Sequence, residues 1–448
     1  NTQTKRPMKK SLFTIILSVF FTYSFAQGET WSLERCMQYA IANSPSAKRQ
    51  QYSNDNYKQD YINAIANMLP SISGSVSATP NFGRSINDDN VYVNNSSFNN
   101  AYSLSASMPI FNGFATINAV RSSKIGRLLG KEYQQQVHDD ISLSVMERYF
   151  NVILYMGLVT IAEEQLQESG QNLFKARELE KLGLRSSADV AQVEAQVATN
   201  DANLINQQNN LTNAWTLLKN VMNYPLEDSL RIDTAINMID DVPQESASEV
   251  FATARTLHPS IRIADYQLRQ SKLNYAMSRG RLLPSVSLSA EYHTNYYSDK
   301  QSTPAPFSYQ FRNKRGGYIS ATLSIPIFNG LARRTNVNRN LNNLRITEQN
   351  NAETLRALQS SIKQAVDRCN GLAKEYLQAA KQVSATTLAH RAVQRKYDEG
   401  LLSSLELQTS ATQVQQAKSY LLDVKLQYVI QYRLIRYYQG IPLIEQVH

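Results

Sequence analysis

The pentapeptide PIFNG occurs twice in this chain, at Pro109–Gly113 and at Pro326–Gly330. Its flanks match too: SASMPIFNGFA (Ser105–Ala115) answers TLSIPIFNGLA (Thr322–Ala332). The agreement continues outward. NMLPSISGSVSA (Asn67–Ala78) answers RLLPSVSLSAEY (Arg281–Tyr292), KLGLRSSADV (Lys181–Val190) answers DEGLLSSLEL (Asp398–Leu407), and MNYPLE (Met222–Glu227) answers QGIPLIE. The offset between copies is 214 before the first PIFNG and 217 after it. The three extra residues of the second copy therefore fall between Pro284 and Pro326, which marks a loop there. The chain is two copies of one structural unit.

Each unit reads in the same order. A polar helical stretch comes first, Leu33–Leu69 and Ala247–Leu283. The periodicity then switches to two. Ile72, Val76 and Ala78 alternate with serines, as do Val286, Leu288 and Ala290. Before each PIFNG, Tyr102, Leu104, Ala106 and Met108, and later Ile319, Ala321, Leu323 and Ile325, alternate with Ser and Thr. The expected strands are about 71–82, 98–110, 285–297 and 316–327, joined by polar loops near Phe82–Asn95 and Tyr297–Arg315. Beyond each PIFNG no proline interrupts Gly113–Gly183 or Gly330–Gly400. A continuous helix of that length would run roughly 105 Å at 1.5 Å per residue. A glycine turn and a second helix complete helical hairpins over 113–222 and 330–438. The second helix carries a narrow apolar stripe, Val190, Val193, Val197, Leu204 and Leu211, of coiled-coil type.

PIFNG itself reads as a strand-to-helix hinge. Pro109 and Pro326 lack a backbone donor and should end the ladder. The Asn-Gly dipeptides, with Gly113 and Gly330, should supply positive φ. Phe111 and Phe328 sit where an aromatic belt would meet a bilayer surface, although simple packing beneath a turn would also suit them. Strands of about ten residues, apolar on one face and hydroxyl-lined on the other, fit a membrane barrel with a wet interior. Four strands cannot close a barrel, and open edges in lipid leave unsatisfied amides. Three chains would pool twelve.

Composition narrows the function classes. The 448 residues are 42% hydrophobic, too rich for disorder and too lean for a helical membrane bundle. Met8–Gln27 has Lys9 and Lys10, an apolar run and Ser24-Phe25-Ala26, so a secretory signal cut after Ala26 is expected; residues 1–7 are set aside. The mature chain would be 27–448, with repeats 27–245 and 246–448. Loss of Lys5, Arg6, Lys9 and Lys10 lowers the formal charge from +9 to +5, and the basic residues are scattered, which gives no support to nucleic-acid binding. Cys36 and Cys369 could bridge in an oxidising compartment; two unrelated core residues is the plainer reading. The histidines His138, His258, His293, His390 and His448 have no ligand spacing, and the nucleotide, zincin and hydrolase motifs are absent. No enzyme activity, metal or cofactor is expected. Lys300, Arg312, Lys314 and Arg315 in the longer loop could meet lipopolysaccharide phosphates or simply be solvated.

The duplicated unit, the Leu-Pro before each first strand, PIFNG after each second strand and Gly-Leu-x-Ser-Ser at each helix turn together resemble the TolC-type outer-membrane efflux family. The resemblance covers almost the whole mature length. It implies a mostly α homotrimer, with a 12-stranded β-barrel in the outer membrane continuous with a helical barrel in the periplasm. Such a trimer serves as the passive exit duct of a tripartite efflux pump or type I secretion system. It also implies that the helix turns dock a periplasmic adaptor, which links an inner-membrane transporter, here through Leu182, Gly183, Leu184, Gly400 and Leu401. Glu399 departs from the usual apolar residue at the second turn. Plain helix capping by the two glycines is an equal alternative. A gate at the inner end would involve Tyr397, Glu406 and Asp189, while Leu402 and Thr409 stand where the family can carry an arginine and an acid. Outer-membrane lipid and lipopolysaccharide would surround the barrel. The competing reading is a periplasmic coiled-coil adaptor that never enters the membrane.

Overall fold

The computed structural model describes residues 30–86, 90–235, 246–299 and 303–444. The expected signal segment, Lys300 and His448 lie outside them. The chain divides into two compact units, each drawing on both sequence halves.

The described residues of one unit, which spans Asn1–Lys48, Val137–Ala254 and Gln359–His448, are mainly helical. Helix α1 (Leu33–Asn43) starts at Ser32, whose Oγ accepts the Arg35 N–H at 3.2 Å. Its buried stripe Leu33, Cys36, Met37 and Ala40 has the i, i+3, i+4, i+7 spacing of an amphipathic helix. The stripe belongs to a core with Val145, Met146, Tyr149, Phe150, Val152 and Ile153 of α3 (Ala115–Lys181), Leu218 and Met222 of α4 (Ser187–Met222), and Leu426 and Val429 of α9 (Ser404–Tyr438). Each such side chain contributes about 1.5–3 kcal/mol by leaving water. The middle of α3 is apolar enough to cross a membrane, but here its apolar residues form this core. A backbone clip fastens the entry: Trp31 N–H donates to the Arg231 carbonyl, Asp233 N–H donates to that of Trp31, and the Tyr149 hydroxyl donates to the Asp233 carbonyl at 2.6 Å. Cys36 and Cys369 are both buried and not bridged to each other. Burial pushes the Cys36 thiol up to about 12. Of the expected α4 stripe, Val190 and Val193 are buried and Val197, Leu204 and Leu211 half-buried.

The other unit, Arg49–Gln136 and Arg255–Leu358, contains α2 (Pro45–Ala66), β1 (Ser71–Ile86), β2 (Tyr92–Phe111), α6 (Pro259–Gly280), β3 (Ser285–Asp299), α7 (Phe307–Asn313) and β4 (Gly316–Ser324). Helix α5 (Ala247–Leu257) precedes α6, and α8 (Ala332–Asp398) follows β4. The strands form one antiparallel sheet in the order β1-β2-β3-β4.

Several expectations need correction. The polar stretches are not single helices. They break at Ser44-Pro45 and His258-Pro259, because the residue before a proline is driven out of the helical region and proline is accepted at the first helical position. Ser44 and His258 have ψ of 128° and 130°. His258 Nδ1 accepts the Ser260 N–H, and burial holds the imidazole down at about 4, neutral as an acceptor must be. Pro109 does not end its ladder: Pro109 faces Ser287 and Phe111 faces Val286 across a bulge. A bulge tolerates a residue without a donor. β4 stops at Ser324, short of Pro326 and of the expected end at 327. Within the Asn-Gly pairs positive φ falls on Gly113 and Gly330 as expected but not on the asparagines, and it continues onto the following Phe114 and Leu331. The asparagines cap instead: Asn112 Oδ1 accepts the Thr116 N–H at 3.1 Å, and a short side-chain acceptor at a helix start is the preferred use of Asn. Helix α7 lies where a loop was expected; its seven residues are too few to carry a periodic signal.

Candidate functional site

The strand register sorts the sheet into two faces. Ser71, Ser107, Ser289 and Ser320 align across all four strands, as do Ser73, Ser105, Glu291 and Tyr318. Hydroxyl pairs bridge β1 and β2 on this face: Ser71–Ser107 at 3.0 Å, Ser73–Ser105 at 2.9 Å and Ser75–Ser103 at 2.8 Å. The opposite face carries Ile72, Val76, Leu104, Leu288, Tyr292, Ile319 and Leu323, all exposed. Such a contiguous apolar face is not left in water. β1 pairs only with β2 and β4 only with β3 among the described residues, so both outer edges are open.

The hinges follow the strands. At the first, Phe111 packs edge-on against Phe114 with centroids 5.2 Å apart, and Gly113 abuts Gly280 so closely that a Cβ there would lie 1.9 Å from the Gly280 carbonyl oxygen. At the second, Phe328 is 81% exposed, and nothing lies within 4 Å of a Cβ built on Gly330.

The two helix turns share one geometry. Gly183 and Gly400 have φ of 74° and 76°. Leu184 N–H donates to the Leu179 carbonyl and Gly183 N–H to that of Glu180; Leu401 N–H donates to Lys396 and Gly400 N–H to Tyr397. Both are complete Schellman turns, in which the residue after the glycine ordinarily packs back onto the helix. Here Leu184 is 70% exposed and Leu401 68%, and Leu182 beside them is 71% exposed. The glycines therefore cap, and the leucines beside them present apolar surface to the outside.

Asp189 and Glu406 begin the helices after these turns. The Ser186 hydroxyl donates to Asp189 Oδ2 and its Oγ accepts the Asp189 N–H. Ser403 forms a full capping box with Glu406. The Ser403 backbone and hydroxyl bonds hold the Glu406 carboxyl below its usual range, so it stays ionised. Tyr397 is buried, which raises its phenol. The Arg185 guanidinium lies 4.3 Å above its ring and donates to its carbonyl at 3.3 Å.

A family model described as outer membrane efflux protein matches residues 36–223 and 250–440, nearly the whole of both repeats. The chain belongs to that family. It is 21% identical over 443 residues to the outer membrane protein TolC of Escherichia coli, covering 94% of this chain and 85% of TolC. It is 25% identical over 181 residues to the outer membrane efflux protein BepC of Brucella suis, a match spanning 40% of this chain and 39% of BepC. Among solved structures, the CmeC outer membrane channel of Campylobacter jejuni superposes with a TM-score of 0.81 at 17% identity, over 93% of this chain and 87% of that one. The fold, mostly helical with one four-stranded antiparallel sheet, matches that of outer-membrane channels of this family.

Within this efflux-family frame, the structure adds residues that sequence reading missed. Leu402 lacks the arginine anticipated at the second turn, and Arg185 from the first turn reaches Tyr397 instead. Above it, polar pairs join the first repeat's hairpin to the second's: Lys175–Asp398 at 3.1 Å, Asn172–Gln394 at 3.3 Å, Glu168–His390 at 2.7 Å and Glu164–Lys418 at 2.7 Å. The i, i+4 spacing of Glu164, Glu168 and Asn172 on one face was the available signal. Without knowledge of which helices pair, it reads as a solvated stripe.

Proposed function

We propose that this chain is one third of a homotrimeric outer-membrane exit duct serving a tripartite efflux pump or a type I secretion system. The observation that carries the reading is the two-faced sheet with two open edges. An apolar face needs lipid, a hydroxyl face needs water, and neither open edge survives in hydrocarbon unpaired. Closure by further copies resolves all three, and three copies give twelve strands.

The internal repeat supplies a register for that closure. β2 faces β3 with Ser103 opposite His293. Carrying each strand to its counterpart in the other repeat sets Ser320 of β4 opposite Thr79 of the next copy's β1. The polar faces then stay aligned, since Ser320 and Thr79 both lie on the hydroxyl side.

The helical hairpins extend this duct into the periplasm, where the exposed Leu182, Leu184 and Leu401 flanking Gly183 and Gly400 dock an adaptor protein that connects an inner-membrane transporter. Glu399 makes the second turn the weaker dock. The Arg185–Tyr397 contact is a latch at the inner end, with the ionised Glu406 and Asp189 caps beside it favouring cations at a narrow opening. Exposed ion pairs such as those between the hairpins are worth only about 0–1 kcal/mol each. A polar seam of that kind separates more readily than an apolar one. Transport is passive, and the chain performs no catalysis; energy comes from the partner transporter.

Neighbouring residues test the reading. Ile319→Arg should abolish outer-membrane recovery and heat-modifiable gel mobility, because a cation on the lipid face costs about 2–4 kcal/mol near mid-bilayer. Ser320→Arg, one residue away on the wet face, should be tolerated. Equal behaviour of the pair, or a soluble periplasmic pool of the parent protein, would return the adaptor reading.

A further inference from the structure

Helix α7 sits at the far end of the apolar face. Phe307 and Phe311 pack against Tyr102, and Phe307 against Tyr296, with centroids 5.3–6.2 Å apart. Tyr102 and Tyr296 share the face of Leu104 and Tyr292 by register. β4 pairs with β3 only as far as His293–Gly316, and beyond that point the edge of β3 is taken over by α7. Gln310, 4% exposed, accepts the Tyr297 N–H and donates to the Tyr297 and Ala305 carbonyls, so one side chain stands in for the missing strand.

The height of this cluster is set by the strand. Tyr296 lies ten residues beyond Val286, the partner of Phe111 at the hinge. At about 3.4 Å per residue this is about 34 Å along the strand. With a barrel tilt near 40° it spans about 26 Å, against an apolar band of about 25 Å. Phe111 and Phe114 then mark one boundary of the band, and Tyr102, Tyr296, Phe307 and the exposed Tyr309 mark the other.

Level with this second girdle, between Phe311 and the start of β4 at Gly316, lie Arg312, Lys314 and Arg315, all exposed. Lys314 Nζ donates to Gln310 Oε1 at 2.7 Å, and Arg315 Nε donates to the Arg312 carbonyl at 2.7 Å. Both acceptors are neutral. Among the described residues of this unit, the ion pairs are Glu132–Arg262 and Glu291–His293, so no described carboxylate offsets the three cations. Three cations that no described carboxylate pairs, beside an aromatic girdle and with Lys314 over the Tyr297 ring, complement an anionic headgroup layer.

We propose that α7 is a binding site for the phosphorylated glycolipid of the outer leaflet. Gln310, Phe307 and Phe311 hold the helix in place, and Arg312 and Arg315 grip the lipid phosphates by charge-assisted hydrogen bonds. This rests on the outer-membrane duct reading and gives its rim a specific ligand.

The test is native mass spectrometry of the purified, detergent-solubilised protein with bis-phosphorylated lipid A, lipid A stripped of its phosphates, and phosphatidylglycerol. Retention of bis-phosphorylated lipid A should exceed that of the stripped form by about 10-fold, as the loss of one or two charge-assisted bonds implies. It should fall to the stripped level in Arg312→Gln/Arg315→Gln. Gln310→Ala, which keeps both cations but frees α7 from β3, should weaken retention as well. Equal retention of both lipid A forms, equal retention of phosphatidylglycerol, or full retention by the double variant would overturn the site. These outcomes are separable from failure of the duct itself, which would appear as loss of membrane insertion and of heat-modifiable mobility in the parent protein.

Discussion

The two copies of PIFNG are identical in sequence and opposite in surroundings. The first is enclosed: Gly113 touches Gly280, and Phe111 rests on Phe114. The second is bare, with Phe328 and Ile327 open to solvent and nothing near Gly330. The difference comes from position, because the first hinge lies between two repeats of the same chain and the second lies at the end of the sheet. On the proposed trimer, another copy supplies the neighbour that the second hinge lacks. By the repeat offset, Ala66 stands in the first repeat where Gly280 stands in the second. On that reading the contact at the second hinge is looser than the first, since Ala66 brings a Cβ.

The largest effects should come from the enclosed hinge. Gly113→Ala would place a Cβ 1.9 Å from the Gly280 oxygen at a φ of 65°, and Gly280→Ala a Cβ 2.0 Å from the Gly113 oxygen. Both should reduce folded, membrane-inserted protein to a trace, a destabilisation above about 4 kcal/mol. Gly330→Ala should show only left-handed backbone strain, about 1–2 kcal/mol. Quantitative immunoblotting of outer-membrane fractions and melting curves of the purified protein compare the three. Equal damage at both hinges would mean the second is enclosed as tightly as the first.

The next effect separates a bare hinge from a shared one. Phe328→Asp removes a side chain that touches little within its own chain, so a lone subunit should tolerate it. In the assembly it should shift the purified protein from trimer to monomer by light scattering. An unchanged mass would leave the second hinge without a partner.

A smaller effect contrasts the two helix turns. Arg185→Ala removes the guanidinium over the buried Tyr397 ring, a contact worth about 1–2 kcal/mol when partly desolvated. It should raise single-channel conductance in planar bilayers, with Arg185→Lys intermediate. If the exposed leucines dock an adaptor as proposed, Leu184→Ser should weaken its binding more than Leu401→Ser, whose turn carries Glu399; surface plasmon resonance against the adaptor measures both.

The smallest is titration at the second turn. The Glu406 carboxyl is held below its unfolded value by Ser403, so its capping contribution is present above the ordinary carboxylate range and lost as pH falls through the lowered value. Amide exchange at residues 403–407 should accelerate on acidification in the parent and be independent of pH, once corrected for intrinsic rates, in Glu406→Gln.

Much of the fold was legible because the duplication let each half check the other. Alternating Ser and aliphatic residues located all four strands, and the glycine turns fell where Gly-Leu-x-Ser-Ser placed them. What escaped was decided by tertiary contacts. The pairing of β3 with β4 goes no further than His293–Gly316 because α7, through Gln310, occupies the edge of β3 beyond it, and no local pattern announces a glutamine acting as a strand. Ser44-Pro45 and His258-Pro259 were readable as breaks, yet the polar helical pattern on either side masked them. The Arg185–Tyr397 contact joins residues 212 apart in sequence, so neither residue alone points to the other.

The central claim is that copies close the sheet edge to edge in the register the repeat dictates. Paired cysteine substitutions, Ser320→Cys with Thr79→Cys and, on the other face, Ala321→Cys with Ala78→Cys, test it directly, since one pair must be of the closer, non-hydrogen-bonded type. Mild oxidation in intact outer membranes should yield a covalent trimer from one of these double variants and from neither single variant. Cross-linking only in a register shifted by two residues, or no cross-link in membrane-inserted protein, would contradict the account.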